Sequence, residues 1–177
     1  LGASIDDAAG EAFDKGARIL GLGYPGGPII DKISQNSDYN FYNFPRTRVK
    51  NNQLDLSFSG LKTALLYYTK NKSKNFIKEN LGHIAASYQE AIIDSILDRV
   101  NLIIENDSSI NQIYVSGGVA ANSRFRMKTK NFNKEVIFPA LSYCTDNAAM
   151  IAMAGYHKLK EGANSKLDLV PSPSLKL

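Results

Sequence analysis

A glycine pair between a short apolar run and a helix-forming run is the feature that most constrains this chain. Residues 113–115 are β-branched and aromatic, which predicts a buried strand. Gly117 and Gly118 follow almost at once, and residues 124–128 can continue as a helix. In open α/β sheets, ligands collect outside the carboxyl ends of strands, where the next helix presents free N–H groups. The stretch therefore predicts either a ligand site or an ordinary tight turn between strand and helix.

The residue types of this turn are suited to binding a ligand. Glycines let the backbone approach a ligand that a side chain would exclude. Asn122 stands where the chain turns into the helix, and its amide both donates and accepts hydrogen bonds. We take Gly117, Gly118 and Asn122 as candidate binding residues, with the ordinary turn as the alternative.

Apolar periodicity predicts the helices. Residues 83–105 carry an apolar residue every fourth position, which is typical of a core helix packed on a sheet. Residues 6–22 form a second amphipathic pattern, with Ser4 as its expected N-cap. Two more helices are predicted at 122–130 and 148–156, and the many small residues of the last one imply close helix contact.

Short strands alternate with these helices. Residues 54–59 alternate apolar and polar side chains, and a helix is expected over 61–68. Residues 112–116 and 135–139 are further predicted strands, and the Asn-rich stretch 34–52 is predicted to be irregular. The resulting order predicts an α/β layer domain, a sheet with flanking helices.

The predicted first helix carries three carboxylates on one face, Asp7, Glu11 and Asp14. Lys15 and Arg18 lie four residues after Glu11 and Asp14, so the pattern by itself favours a solvated stripe.

A loop of prolines and glycines, residues 24–28, follows this helix. Prolines fix their own backbone angles and glycines allow conformations closed to other residues. The loop is either a simple turn or a place where backbone approaches a ligand. Asp31 lies one helical turn beyond Gly27.

Composition excludes several classes of protein. The chain has 177 residues, 44% of them apolar and 21% charged, which are globular values. Its single cysteine, Cys144, allows no intrachain disulfide and suits a reducing compartment. No apolar run is long enough to span a bilayer and no signal peptide is visible. Because the chain starts at Leu1 with residues typical of a domain interior, we expect it to be a piece of a longer protein.

Positive charge is concentrated in one stretch. The net charge is +4, which is compatible with a polyanionic partner. Residues 62–78 contain five lysines and no acid, and these are Lys62, Lys70, Lys72, Lys74 and Lys78. They form either a solvated face or a contact with phosphates.

Five motifs in order carry a family resemblance. They are Asp6-Asp7-Ala8-Ala9-Gly10-Glu11-Ala12-Phe13-Asp14-Lys15, Tyr24-Pro25-Gly26-Gly27-Pro28, Ser57-Phe58-Ser59-Gly60-Leu61-Lys62-Thr63, Gly117-Gly118-Val119-Ala120-Ala121-Asn122 and Cys144-Thr145-Asp146-Asn147-Ala148-Ala149-Met150. Over residues 1–162 the chain resembles the C-terminal part of the TsaD/Gcp family, once labelled O-sialoglycoprotein endopeptidase. That family begins with another α/β lobe, which carries an HxxxH metal motif. His83 and His157 do not have that spacing.

The resemblance implies an actin-like ATPase fold, shared with sugar kinases and heat-shock chaperones, for residues 1–162, with 163–177 as a tail. It implies transfer of a threonylcarbamoyl group from threonylcarbamoyl-adenylate to the adenosine beside the anticodon, in tRNAs reading codons that begin with A. By motif position, the family's nucleotide-ligand residues match Asp14, Gly27, Asp31 and Asn122, and its metal-ligand aspartate matches Asp146.

The resemblance also implies a cofactor and partners. One divalent metal, iron or zinc, is expected on Asp146 and on histidines of the other lobe, where it would polarise the carbamoyl carbonyl. The expected partners are tRNA and, in a bacterium, the subunits TsaB and TsaE, in the cytoplasm and without a membrane. Cys144 is expected to be a packed structural residue. Asp14 and Asn122, as polar residues facing a cleft, are expected to be replaceable with little loss of stability.

Two other functions compete with this one. A non-catalytic nucleotide-binding or scaffold subunit would keep the same ligand loops. The old metallopeptidase label would require a metal-activated water and a general base, and the chain has no HExxH-like helix.

Overall fold

The computed structural model describes residues 1–50, 52–166, 168 and 170. Over these residues the elements follow in the order α1 Ala9–Ile19, α2 Gly26–Ser34, α3 Ser59–Lys70, α4 Lys74–Glu79, α5 Leu81–Asn106, β1 Gln112–Tyr114, α6 Ser123–Thr129, β2 Glu135–Ile137 and α7 Ala148–Lys160. Two short 3-10 turns cover Gly118–Ala121 and Leu141–Tyr143. Within these residues, no helix has both the length and the apolar character needed to cross a membrane.

The 26-residue helix α5 is the centre of the core, as its periodicity predicts. Helices α1, α2 and α3 pack on its N-terminal half. Tyr88, fully buried, donates a hydrogen bond to the carbonyl of Ala12 over 2.9 Å. A Cβ on Gly16 would lie 2.2 Å from the Tyr88 ring, so a glycine is required where this ring crosses α1. The ring therefore fixes how closely α1 approaches α5.

A second core cluster joins α5 to the sheet. Ile93 and Leu97 on α5 pack with Phe125 on α6. Strands β1 and β2 pair in parallel, with Gln112 opposite Glu135, and α6 connects them. This places the turn after β1 close to the first core cluster, since Val119 packs against it.

The expected strand at 54–59 is wrong. Only a single bridge, Ser4 with Leu56, forms there. The carboxylate of Asp6 instead accepts hydrogen bonds from the N–H groups of Phe58, over 2.8 Å, and Ser59, over 3.4 Å. Since these are the first free donors of a helix, α3 begins at Ser59, two residues before its predicted start.

The start of α1 also differs from the prediction. The helix begins at Ala9, and Ala8 occupies the N-cap position instead of Ser4. The hydroxyl of Ser4 donates to the carbonyl of Asp7. Because Asp6 is engaged with α3, it does not extend α1 towards the N-terminus.

Helix α7 does not make the close contacts that its small residues implied. None of its residues is buried, and Ile151, Met153 and Leu159 are each more than half exposed, at 66%, 59% and 66%. Asn147 caps this helix by accepting from the N–H of Met150, so neither Thr145 nor Asp146 is its N-cap.

Two helices, the connection before α3 and the C-terminal tail remain to be compared with the predictions. Helices α2 and α4 were not predicted, whereas the irregular connection before α3 is confirmed for residues 35–50 and 52. The predicted tail, 163–177, lies largely outside the described residues.

Replacing Gly16 by alanine tests the Tyr88 packing. The added methyl has no room, and overpacking of this kind costs about 1–3 kcal/mol of unfolding free energy. Gly10→Ala in the same helix is the control, because a Cβ there meets nothing within 4 Å. That control should be neutral or stabilising by up to ~1 kcal/mol. Equal stability of the two variants in urea denaturation would contradict the packing.

Candidate functional site

A cavity of about 460 Å³ opens between α1, α2 and the turn after β1. Five of the candidate binding residues line it, and they are Asp14, Gly27, Asp31, Gly118 and Asn122. They come from three segments that are far apart in the sequence. Gly117 is not among the lining residues, and its φ of 87° identifies it as the residue that turns the backbone.

Asp14 is held in place by the start of α2. Its Oδ1 accepts a hydrogen bond from the N–H of Gly26 over 2.7 Å. A Cβ on Gly26 would lie 2.6 Å from that of Ala17, so only glycine lets α2 begin this close to α1. Among the described residues, nothing hydrogen-bonds the Oδ2 of Asp14, which leaves that oxygen to a ligand.

Asp31 is held in the same way by the start of α6. Its two carboxylate oxygens accept from the N–H of Ser123, over 2.9 Å, and from the Ser123 hydroxyl, over 2.8 Å. Since the N-terminus of a helix attracts negative charge, α6 fixes this carboxylate at the cavity edge.

Asn122 is buried and uses both ends of its amide. Its Oδ1 accepts from the N–H of Phe125 over 2.9 Å, which caps α6. Its Nδ2 donates over 2.7 Å to Oε1 of Gln89, a fully buried residue of α5. These two hydrogen bonds lead us to expect that loss of Asn122 lowers stability, contrary to the expectation from the sequence.

The glycines on the cavity wall are not required by the surrounding protein. A Cβ on Gly118 would meet nothing within 4 Å, and one on Gly27 would make only an ordinary contact, 3.8 Å from Phe13. Their missing side chains leave space on the side where a ligand would lie.

An ion-pair network fixes α6 against α5. Arg124 donates to both carboxylate oxygens of Glu90, over 2.7 and 2.8 Å, and its guanidinium lies 4.0 Å from the centre of the Tyr39 ring. Lys128 pairs with Glu90 and Asp94. Burial raises the pKa of Glu90, but hydrogen bonds from Arg124 and Lys128 outweigh it, so the pKa lies below its ordinary value.

The three carboxylates predicted to share one face, Asp7 just before α1 and Glu11 and Asp14 on it, are only partly solvated. The predicted pair of Glu11 with Lys15 forms, over 2.8 Å. Asp7 is nearly buried and pairs with Lys15 and Lys62, and the hydrogen bond from Lys15 is the main cause of its lowered pKa. Asp14 faces the cavity.

Comparison with known proteins gives this cavity a context. The model of the family described as tRNA N6-adenosine threonylcarbamoyltransferase matches residues 1–153. The chain belongs to this family.

Curated relatives match the sequence over nearly the whole chain. The tRNA N6-adenosine threonylcarbamoyltransferases of Thermosipho africanus and Fervidobacterium nodosum are each 50% identical, over 100% and 98% of this chain. That of Thermotoga neapolitana is 49% identical over 99%. The chain covers 54%, 53% and 53% of these proteins, so it spans about half the length of the relatives it matches.

Asp146, which the sequence led us to expect as a metal ligand, is exposed on the loop before α7. Among the described residues, no three His, Cys, Asp or Glu side chains are grouped so that they could hold a metal. One carboxylate offers too few ligands, so these residues do not form a metal site by themselves. His83 is engaged elsewhere, since its Nδ1 accepts from the N–H of Asp38 over 2.9 Å.

Sequence reasoning missed three polar residues of the cavity. Lys32 lies on α2, which was itself not predicted, Gln35 is the C-cap residue of that helix, and Thr145 precedes Asp146. Among the lining residues that the structure describes, Lys32 alone carries a positive charge. Gln35 lies three residues after Lys32 and four after Asp31, a spacing that would have suggested neighbouring side chains once α2 was recognised.

Replacing Asn122 by alanine should cost stability. The variant loses an N-cap, about 0.5–2 kcal/mol. It also leaves Oε1 of Gln89 buried without its donor, about 1–3 kcal/mol. Asn147→Ala is a matched control, because it removes an N-cap and the amide's donations to the carbonyls of Tyr143 and Thr145, all of them exposed. Urea denaturation should give the larger loss for Asn122→Ala, and equal losses would mean that the Gln89 bond contributes nothing.

Proposed function

We propose that this chain supplies the C-terminal lobe of a tRNA N6-adenosine threonylcarbamoyltransferase with an actin-like ATPase fold. The enzyme transfers the threonylcarbamoyl group of threonylcarbamoyl-adenylate to the adenosine beside the anticodon in tRNAs reading codons that begin with A. One observation carries the proposal: three separate family motifs place their polar residues around a single cavity.

The cavity suits an adenylate in size and in chemistry. Its volume of about 460 Å³ lies in the range of small-molecule sites, about 300–1,000 Å³. The free oxygen of Asp14 accepts a hydrogen bond from a ribose hydroxyl. A flat base packs against the backbone of Gly27 and Gly118. The positive charge of Lys32, a residue of the cavity lining, balances the negative charge of the adenylate phosphate.

Group transfer at this site needs no protein nucleophile. The amine of the tRNA adenosine attacks the carbamoyl carbon and the adenylate leaves, since a phosphate is a good leaving group. Cys144 takes no part, because it is buried and, within the described part of the chain, its Sγ forms hydrogen bonds only with its own loop and with Arg126. The expectation that it is a packed residue is confirmed.

A metal and partner subunits complete the proposal. Asp146 would be one ligand of iron or zinc, and the histidines of the N-terminal lobe would supply the others. We assign this chain no step that passes through the metal. TsaB and TsaE remain the proposed partners in a bacterium, with the cytoplasm as the compartment.

Adenylate binding is tested at Asp14 in the enzyme with both lobes. Asp14→Asn keeps an acceptor for Gly26 but loses the charge that faces the ligand. Loss of a hydrogen bond to a charged group costs about 1.5–3 kcal/mol, so calorimetry should show affinity for an adenylate analogue falling about 10–100-fold. Glu11→Gln, one turn earlier and outside the cavity, is the control. Equal affinities of the wild type and both variants would contradict the site.

Contact with tRNA is tested at the basic stretch. Lys62 pairs with Asp7, and Lys72 lies over the rings of Tyr68 and Phe76, 5.7 and 5.1 Å from their centres. Replacement of Lys70, Lys72 and Lys74 by alanine should lower tRNA affinity. It should also flatten the salt dependence by about 2–3 logarithmic units per decade of salt, if each lysine meets a phosphate.

The control for this variant removes three exposed lysines elsewhere, Lys50, Lys130 and Lys158. It tests whether net charge alone sets the affinity. An unchanged salt slope in the Lys70/Lys72/Lys74 variant would mean that the stretch is a solvated face and that tRNA docks elsewhere.

A further inference from the structure

The loop that carries Asp146 has a single buried anchor. Of residues 140–160, all of which the structure describes, only Cys144 is buried, with 2% of its surface exposed. Helix α7, which follows, buries none of its residues. The position of the loop therefore depends on what surrounds Cys144.

Arg126 on α6 is the charged residue at that anchor. Its Nη2 lies 3.3 Å from the Sγ of Cys144 and donates over 2.8 Å to the carbonyl of Pro139. The guanidinium also lies 4.7 Å from the centre of the Phe138 ring. The guanidinium thus packs against the Phe138 ring, just after β2, and hydrogen-bonds the loop that carries Cys144.

The same guanidinium also holds a second segment of the cavity lining. Its Nε donates over 2.7 Å to the carbonyl of Ala120, inside the 3-10 turn Gly118–Ala121. Gly118 in that turn and Thr145 beside Cys144 both line the cavity. Arg126 therefore joins two segments that both contribute residues to the cavity lining.

We propose that Arg126 is a positioning residue, which sets Thr145 and the Asp146 loop against the glycine turn and so completes the adenylate cavity. The inference rests on the proposed function for the identity of the ligand. It concerns a residue that touches no ligand itself, since Arg126 does not line the cavity.

The chemistry of arginine explains why this position needs it. A guanidinium is planar and presents five donors in fixed directions, so it can hold Ala120 and Pro139 at once. A lysine ammonium at the same place is a point charge on a flexible chain, and it would hold one carbonyl at a time. Arg126→Lys keeps the charge and loses the geometry.

Cys144 provides a local probe of the anchor. In the enzyme with both lobes, its modification by a thiol reagent is followed by mass spectrometry of the peptide that contains it. Arg126→Lys and Arg126→Ala should both increase the modification rate of Cys144 at 25 °C. Guanidinium ion should slow it again in Arg126→Ala, because the free ion can occupy the vacated place.

Transfer kinetics give the second readout. Loss of residues that orient a functional group typically costs about 10–100-fold, so kcat/KM for the adenylate should fall by that factor in both variants. Affinity for tRNA should be unchanged. Gly16→Ala is the control for general destabilisation, and at 25 °C it should not alter the Cys144 rate.

Two outcomes would overturn the inference. One is an unchanged Cys144 modification rate in the Arg126 variants. The other is full wild-type kcat/KM in Arg126→Lys. If Arg126→Ala does not fold, Arg126→Lys still decides the question. If the wild-type enzyme transfers no threonylcarbamoyl group, the proposed function fails, while the Cys144 rate still tests whether Arg126 anchors the loop.

Discussion

A buried amide joins the core of this protein to the wall of its cavity. Asn122 bonds Gln89 in the central helix with one end and caps α6 with the other. Asp14 and Asp31 follow the same principle, since each accepts from the first residues of a neighbouring helix. The polar groups of the site are therefore positioned by the fold before any ligand arrives. Such preorganisation lowers the cost of binding, and it makes mutations at the site act on stability as well.

Local patterns predicted much of the helical structure. Helix α5 follows from its four-residue apolar repeat, and the strand, glycine turn and helix around Gly117 follow from composition. The strand expected at 54–59 fails for a reason that no local pattern contains. Asp6, some fifty positions earlier, supplies the acceptor that starts α3. Helix α2 was missed because it begins with glycines and a proline, which indicate a loop unless the acceptor on Asp14 is known.

The sequence predicted which residues belong to the site, but not that they line one cavity. Motif positions identified Asp14, Gly27, Asp31 and Asn122, and only the packing of α1 and α2 on α5 brings them to one cavity. The stability role of Asn122 could not be foreseen, because its partner Gln89 lies in a helix that is distant in the sequence. Arg126 was not predicted for a similar reason, since its hydrogen-bond partners lie in the 3-10 turn after β1 and in the loop after β2. A residue type alone does not reveal which side chain joins separate segments.

Amide hydrogen exchange tests most directly whether the helix caps are also the ligand-binding groups. The amides of Gly26, Ser123 and Phe125 donate to Asp14, Asp31 and Asn122. If an adenylate binds those three side chains, it should hold the caps in place and slow exchange at all three amides in the enzyme with both lobes. Exchange within α4, which contributes no residue to the cavity, should be unchanged. Saturation with an adenylate analogue that leaves exchange at Gly26, Ser123 and Phe125 unaltered would contradict the account.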